Sequence, residues 1–137
     1  MRENTIAADG VYLVVQKDDE DGVWMPVQDA GRSEFIHRVP LMPLKVVVAE
    51  ARLSRRNTPV IHLELSSDLT TRFAEITRRY EGSRLAFVAG GSVIIAAYIN
   101  EAILDGQPCL SVSGDMLEAL RKAERLRLVG NPDAPSS

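Results

Sequence analysis

Cysteine and histidine are nearly absent: one cysteine, Cys109, and two histidines, His37 and His62, in 137 residues. A lone cysteine excludes an intrachain disulfide and leaves the redox compartment unread; flanked by apolar residues, it is expected in a strand as a small hydrophobe. A structural zinc site needs four ligands at workable spacing, and neither CxxC nor HExxH occurs, so no metal and no cofactor are expected. Aromatics are also scarce, at 5%. The basic clusters Arg52, Arg55, Arg56 and Arg78, Arg79, Arg84 have no interleaved aromatics on which bases could stack. With a net charge of −3 and a pI near 5.4, no nucleic-acid partner is expected.

Long apolar runs are missing too. The longest, Leu85 to Ile99, is broken by Gly90, Gly91 and Ser92 and falls short of the ~20 residues that a membrane-spanning helix needs. The opening "MRENTIAADG" has no apolar leader region. As written, the chain is expected to carry neither an export signal nor a membrane span.

Catalytic motifs are likewise lacking. "AGGSV" has no following Lys-Ser/Thr and leads into a β-branched run, so it reads as a hairpin turn rather than a phosphate loop. "SVSGD" lacks the G-x-S-x-G elbow. His62 lies beside Glu64 on the polar side of a strand and reads as a solvated imidazole. A small hydrolase built on His62, Glu64 and Ser111 is the weakest of three readings, and an enzyme is not expected.

What is present is ordinary globular material, 45% apolar and 26% charged, enough for one domain, here taken as residues 1–130. "VYLVVQ" (Val11–Gln16) and "VWMPVQD" are expected to pair as a hairpin over residues 11–28, with Asp21-Gly22 in its turn. The acidic "KDDED" between them suggests a calcium loop, but Lys17 and Gln28 stand where ligands would be needed. "SEFIHRV" (Ser33–Val39) reads as another strand. Residues 44–51 read as either strand or short helix. In "TPVIHLELS", Val60, His62 and Glu64 alternate with Ile61, Leu63 and Leu65, which is a strand with one wet face.

Ser66 or Ser67 is placed to cap an amphipathic helix with Asp68 in its first turn. Leu69, Phe73, Ile76 and Tyr80 form its buried stripe, and Gly82 its left-handed end. Two strands come next around Gly90-Gly91, then a strand in "QPCLSVS". Asp115 and Glu118 open a second helix, with Met116, Leu117, Ala119, Leu120 and Ala123 expected on its buried side. "GNPDAPSS" has no structure-forming content, and 131–137 is expected to be a disordered tail.

The order of elements predicts an α+β domain, a largely antiparallel sheet with two helices on one face. That arrangement covers one sheet face only, yet the strands of 85–99 are apolar on both. Their second face must be covered by the N-terminal hairpin, by a partner, or by nothing.

The stretch from Pro59 to Gly114 resembles the head subdomain of the first extracytoplasmic domain of the SecD and SecDF protein-export family. Phe73, Ile76 and Thr77 match its helix, and Gly82, Arg84, Leu85, Ala86 and Val88 its strand entry. Gly91, Val93, Ala96, Ile99, Glu101, Ile103 and Gly106 match the family's next segment, and Ser113-Gly114 and the closing helix agree in place. The resemblance covers 58–123 well and 35–57 weakly, and the first hairpin is unmatched. Gly90 departs from the usual Asp of the turn, Ala97 and Ala102 stand where prolines are common, and Leu104-Asp105 interrupts a small-Gly pair.

The resemblance implies a non-enzymatic, extracytoplasmic module in the periplasm or at the cell surface, which would presuppose a precursor bearing an export signal. Its implied partner is unfolded or extended polypeptide, or another protein. The apolar hairpin is the expected contact surface, through Leu85, Phe87, Val93, Ile94, Ile95, Tyr98 and Ile99. The alternative is an assembly domain whose apolar strands mediate homo-oligomerisation.

Overall fold

The computed structural model describes residues 8–28, 31–112 and 114–128; the expected tail at 131–137 lies outside them. Along the chain come β1 (Gly10–Leu13), β2 (Gly22–Pro26), β3 (Ser33–His37), β4 (Met42–Pro43), β5 (Val46–Leu53) and β6 (Pro59–Leu65). A 3₁₀ turn at Ser67–Leu69 leads into α1 (Thr70–Arg79), then β7 (Arg84–Ala89), β8 (Ser92–Tyr98), β9 (Cys109–Ser111) and α2 (Met116–Arg127). The α+β, largely antiparallel reading holds, with the strands divided among three sheets: β4-β1-β7-β8, β2-β3 and β5-β6-β9.

Gly90 and Gly91 both have positive φ, 62° and 84°, which a two-residue hairpin turn requires and which glycine adopts without strain. They join β7 to β8. Ile94 is an extra residue in β8, since Phe87 pairs with Ile95 while Val88 pairs with Val93.

This hairpin lies between two apolar clusters, and its side chains alternate between them. Leu85, Phe87 and Ala89 point into the larger one, with Ile61, Leu63, Phe73 and the α2 residues Ala119, Ala123 and Leu126. Ala86, Val88 and Val93 point into the smaller one, with Tyr12, Met25 and Ile36. β1 alternates in the same way, Val11 to the first and Tyr12 to the second. The missing polar alternation thus belongs to a strand pair that has a core on each side.

The cover of the second face is the ribbon β2-β3, and the expected pairing of 11–16 with 23–28 is overturned. β1 pairs with β7 and β4, and β2 pairs with β3 from Gly22↔His37 to Pro26↔Ser33. The physical reason is that β1, buried on both faces, is an interior strand and takes the free side of β7. Gly22 is inside β2, paired with His37, rather than in a turn.

One open reading is settled and two further expectations change. Residues 46–53 are a strand, β5, paired along β6. Cys109 is in a strand but exposed, because β9 is an edge whose buried position is Leu110. On α2 the buried stripe is Ala119, Ala123 and Leu126, and Leu117 and Leu120 face outward. Small residues there let the helix approach β5 closely. The start of α2 is as expected, with Asp115 Oδ1 accepting the Glu118 N–H at 3.0 Å. At the entry to α1 the Ser66 hydroxyl bonds the Asp68 carboxylate instead of a helix N–H.

Candidate binding cleft between two strand edges

Of the seven residues expected to form a contact surface, Leu85, Phe87, Val93, Ile94, Ile95 and Ile99 are buried. Tyr98 alone is exposed, at 67%. The six cannot present side chains to a partner without unpacking a core, so the expected surface is corrected to what the strand leaves accessible at its edge.

That edge is β8, the last strand of its sheet. Near its start it is occupied: the Gln28 N–H donates to the Val93 carbonyl at 2.9 Å, and Lys122 Nζ donates to the carbonyl of the bulged Ile94 at 2.7 Å. Past Ile94 no strand pairs with its outer side among the described residues. β9 is the last strand of another sheet, and among the described residues it pairs with β6 only.

The two edges line one cleft of about 570 Å³. Ala96 to Glu101 form one wall and Gln107 to Ser111 the other, with Ile103 and Arg84 completing it. Its lining mixes apolar side chains with strand edge and few charges, Arg84 and Glu101. At ~3.4 Å per residue, Ala96 to Tyr98, the part of β8 that lines the cleft, offers roughly 10 Å of backbone.

The loop from β8 to β9, which closes the cleft, is pinned from beneath by α1. The Thr77 hydroxyl, fully buried, donates to the Phe73 carbonyl at 2.8 Å and accepts the Ile103 N–H at 2.8 Å. The Glu81 carboxylate accepts the Ala102 N–H at 3.1 Å. Gly106, at φ 69°, packs against Thr70, while its carbonyl takes the Leu65 N–H. A threonine one turn after an apolar residue signals such a back-bonded hydroxyl, but its second partner, 26 residues on, has no local signal.

Arg84 stands at the mouth and was not expected there. Its guanidinium donates to Glu34 Oε1 at 2.7 Å and lies 5.8 Å from the Tyr98 ring centroid. Glu34 also accepts from Arg32 at 2.9 Å. Burial pushes the Glu34 carboxyl up, but the guanidiniums of Arg84 and Arg32 outweigh it and hold its pKa below the usual value. This pairing ties the ribbon β2-β3 to β7 and holds the Arg84 guanidinium beside the Tyr98 ring.

The residues of the hydrolase reading share the outer face of β5-β6-β9 without forming a triad. His62 faces Cys109 and Glu50 across the strands, and Ser111 faces Val60. Glu50 is engaged with Arg52. His37 lies elsewhere, its Nδ1 accepting the Val39 N–H. Among the described residues no group of three or more His, Cys, Asp or Glu side chains could hold a metal ion.

Residues 23–128 match the family described as SecDF, P1 head subdomain. The chain belongs to this family. A curated relative, the protein translocase subunit SecD of Acidaminococcus fermentans, is 30% identical over 79 residues, 58% of this chain and 19% of that protein. The chain therefore spans about a fifth of that relative's length. SecDF of Thermus thermophilus, described as a translocon-associated membrane protein, is 29% identical over 70% of this chain and 13% of its own, with a TM-score of 0.56. A structure described as a membrane component SecDF that enhances protein export covers 88% of this chain and 63% of its own at TM-score 0.58; at 21% identity it shows the fold. No helix among the described residues of this P1 head subdomain is long and apolar enough to cross a membrane.

Proposed function

We propose that this P1 head subdomain serves protein export by holding an extended segment of polypeptide, without catalysis, in the cleft between β8 and β9. The observation that carries the reading is two strand edges, each lacking an outer partner strand among the described residues, facing one cleft. A strand edge binds main chain through hydrogen bonds that every sequence offers, while shallow apolar positions take side chains loosely. That combination suits a carrier of many different clients. Tyr98 and Arg84 at the mouth add a ring and a charge that grip without selecting. SecD and SecDF relatives act in translocation, and the same setting, on the extracytoplasmic side of a membrane, is proposed here.

The assembly alternative is less supported. It was motivated by an uncovered second face on the apolar hairpin, and that face is occupied by Met25 and Ile36 of the ribbon.

The test is an amide chemical-shift titration of the labelled domain with an unstructured secretory polypeptide, beside a folded control protein. Saturable shifts confined to 95–101 and 107–111, with the unfolded chain only, are expected. Cys109, exposed on β9, gives a second readout: its alkylation should slow when the cleft is filled. Absence of shifts at millimolar polypeptide, or shifts of equal size with the folded control, would sink the reading.

A further inference from the structure

Outside the cleft lining, the outer face of the ribbon β2-β3 carries the chain's sole tryptophan, Trp24, 56% exposed. Trp24 is directly opposite Phe35, with ring centroids 4.9 Å apart and planes tilted by 52°. The Phe35 ring lies over Gly22, where a Cβ would overlap it, so glycine lets the ring lie flat against the backbone. Behind this pair, Met25, Ile36 and Val23 pack on the central sheet. The platform is thus backed by the smaller apolar cluster, in a protein with very few aromatics to spare for its surface.

Beside it runs the acidic segment 17–21. Asp19 Oδ1 accepts the Asp21 N–H, and Asp21 pairs with Arg38 at 3.1 Å. Asp18 and Glu20 are exposed and make no ion pair among the described residues. The ammonium of Lys17 sits 6.0 Å from the Trp24 ring centroid, so the chain's own exposed cation already occupies the ring. At that distance, on a flexible stem, it is readily displaced.

The geometry points to a docking site for an arginine-bearing polypeptide segment, its guanidinium stacked on Trp24 and Phe35 in place of Lys17 and paired with Asp18 and Glu20. Arginine fits better than lysine because its planar group stacks on a ring while its N–H fork engages a carboxylate. The same carboxylates repel an anionic membrane surface, and they repel each other across any self-dimer built on this face. The site does not depend on the cleft reading.

Trp24, as the sole tryptophan, reports on its own occupancy. Its fluorescence is followed while the domain is titrated with a Gly-Ser-Arg repeat peptide and with matched peptides carrying citrulline or glutamate. A saturable change with the arginine peptide is expected, weakened about tenfold by citrulline and by the double substitution Asp18→Asn/Glu20→Gln, and absent with glutamate. Those two positions are in an exposed loop, so the variant is expected to fold as the parent does. Gly22→Ala, which displaces the Phe35 ring, is expected to weaken binding while an unchanged circular-dichroism spectrum reports the fold. No saturable change, an equal change with citrulline, or a Trp24 signal that varies with protein concentration and not with peptide would overturn the proposal, the last by showing self-association.

Discussion

The two faces of the β7-β8 hairpin are equally apolar, but they are covered in different ways. On one side stand two helices and a second sheet, which together with the hairpin enclose a large cluster around Ile61, Leu63 and Phe73. On the other side lies a two-stranded ribbon that contributes Met25 and Ile36, held at its rim by the Arg84–Glu34–Arg32 ion pairs. The difference teaches that similar burial need not mean similar resistance to damage. A face backed by several elements cannot collapse around a lost side chain, whereas a ribbon with few neighbours can shift to fill the gap.

The sharpest test is one substitution made on each side. Ile61 and Ile36 are both fully buried. Ile61→Ala should cost about 4 kcal/mol, and Ile36→Ala about 2 kcal/mol, in urea unfolding, near the two ends of the range for such truncations. Equal costs would erase the distinction. A second test moves to the junction of α1 with the cleft loop. Thr77→Val keeps the shape but removes the acceptor for the Ile103 N–H, and should cost about 1–3 kcal/mol together with faster amide exchange at Ile103.

At the ribbon's rim the effect is smaller and depends on pH. Because the folded-state pKa of Glu34 is depressed, its ion pairs stabilise the fold above the unfolded carboxyl value of ~4.3 and that contribution is lost as pH falls through the lower folded value. Glu34→Gln should cost about 1–2 kcal/mol at neutral pH and flatten this part of the acid dependence, read from unfolding midpoints between pH 7 and pH 3. A parallel acid dependence in parent and variant would count against the rim pairing. The smallest effect belongs to a position outside both clusters: Leu120→Ser, on the outward side of α2, should change stability by less than about 0.5 kcal/mol. A larger loss would mean that the outer face of this helix is packed after all.

Much of the local structure was legible in the residues. Strand β6 obeys the alternation of Ile61, Leu63 and Leu65, the hairpin turn sits at Gly90-Gly91, and α2 begins at Asp115 where the capping pattern put it. These rest on backbone geometry and on periods of two or 3.6, which neighbouring residues determine. The family motif was legible too, and the structure adds reasons for some of its members, Thr77 tethering the loop and Gly106 closing against Thr70.

The candidate site was legible only as a region. An apolar strand reads the same whether its side chains meet water, a client or a second core, so Leu85 to Ile99 marked the hairpin without saying which parts of it were accessible. Long-range pairing was hidden for a related reason. The Asp21-Gly22 step suggested a turn between β1 and β2, but β1 gains more by lying against β7, buried on both faces, than by pairing with its neighbour in sequence.

By itself, then, the sequence determined most of the strands and both helices, though not whether 44–51 is strand or helix, where the chain turns left-handed at the paired glycines, and which family it belongs with. Tertiary structure alone decided that the ribbon β2-β3 covers the second apolar face, that Cys109 lies outside and Leu120 does not reach the core, and that β8 and β9 leave their edges to one cleft. The physical reason is range. Propensity and periodicity act over a few residues, whereas partner choice is set by total burial among segments distant along the chain, such as Glu34 and Arg84, which meet across 50 positions.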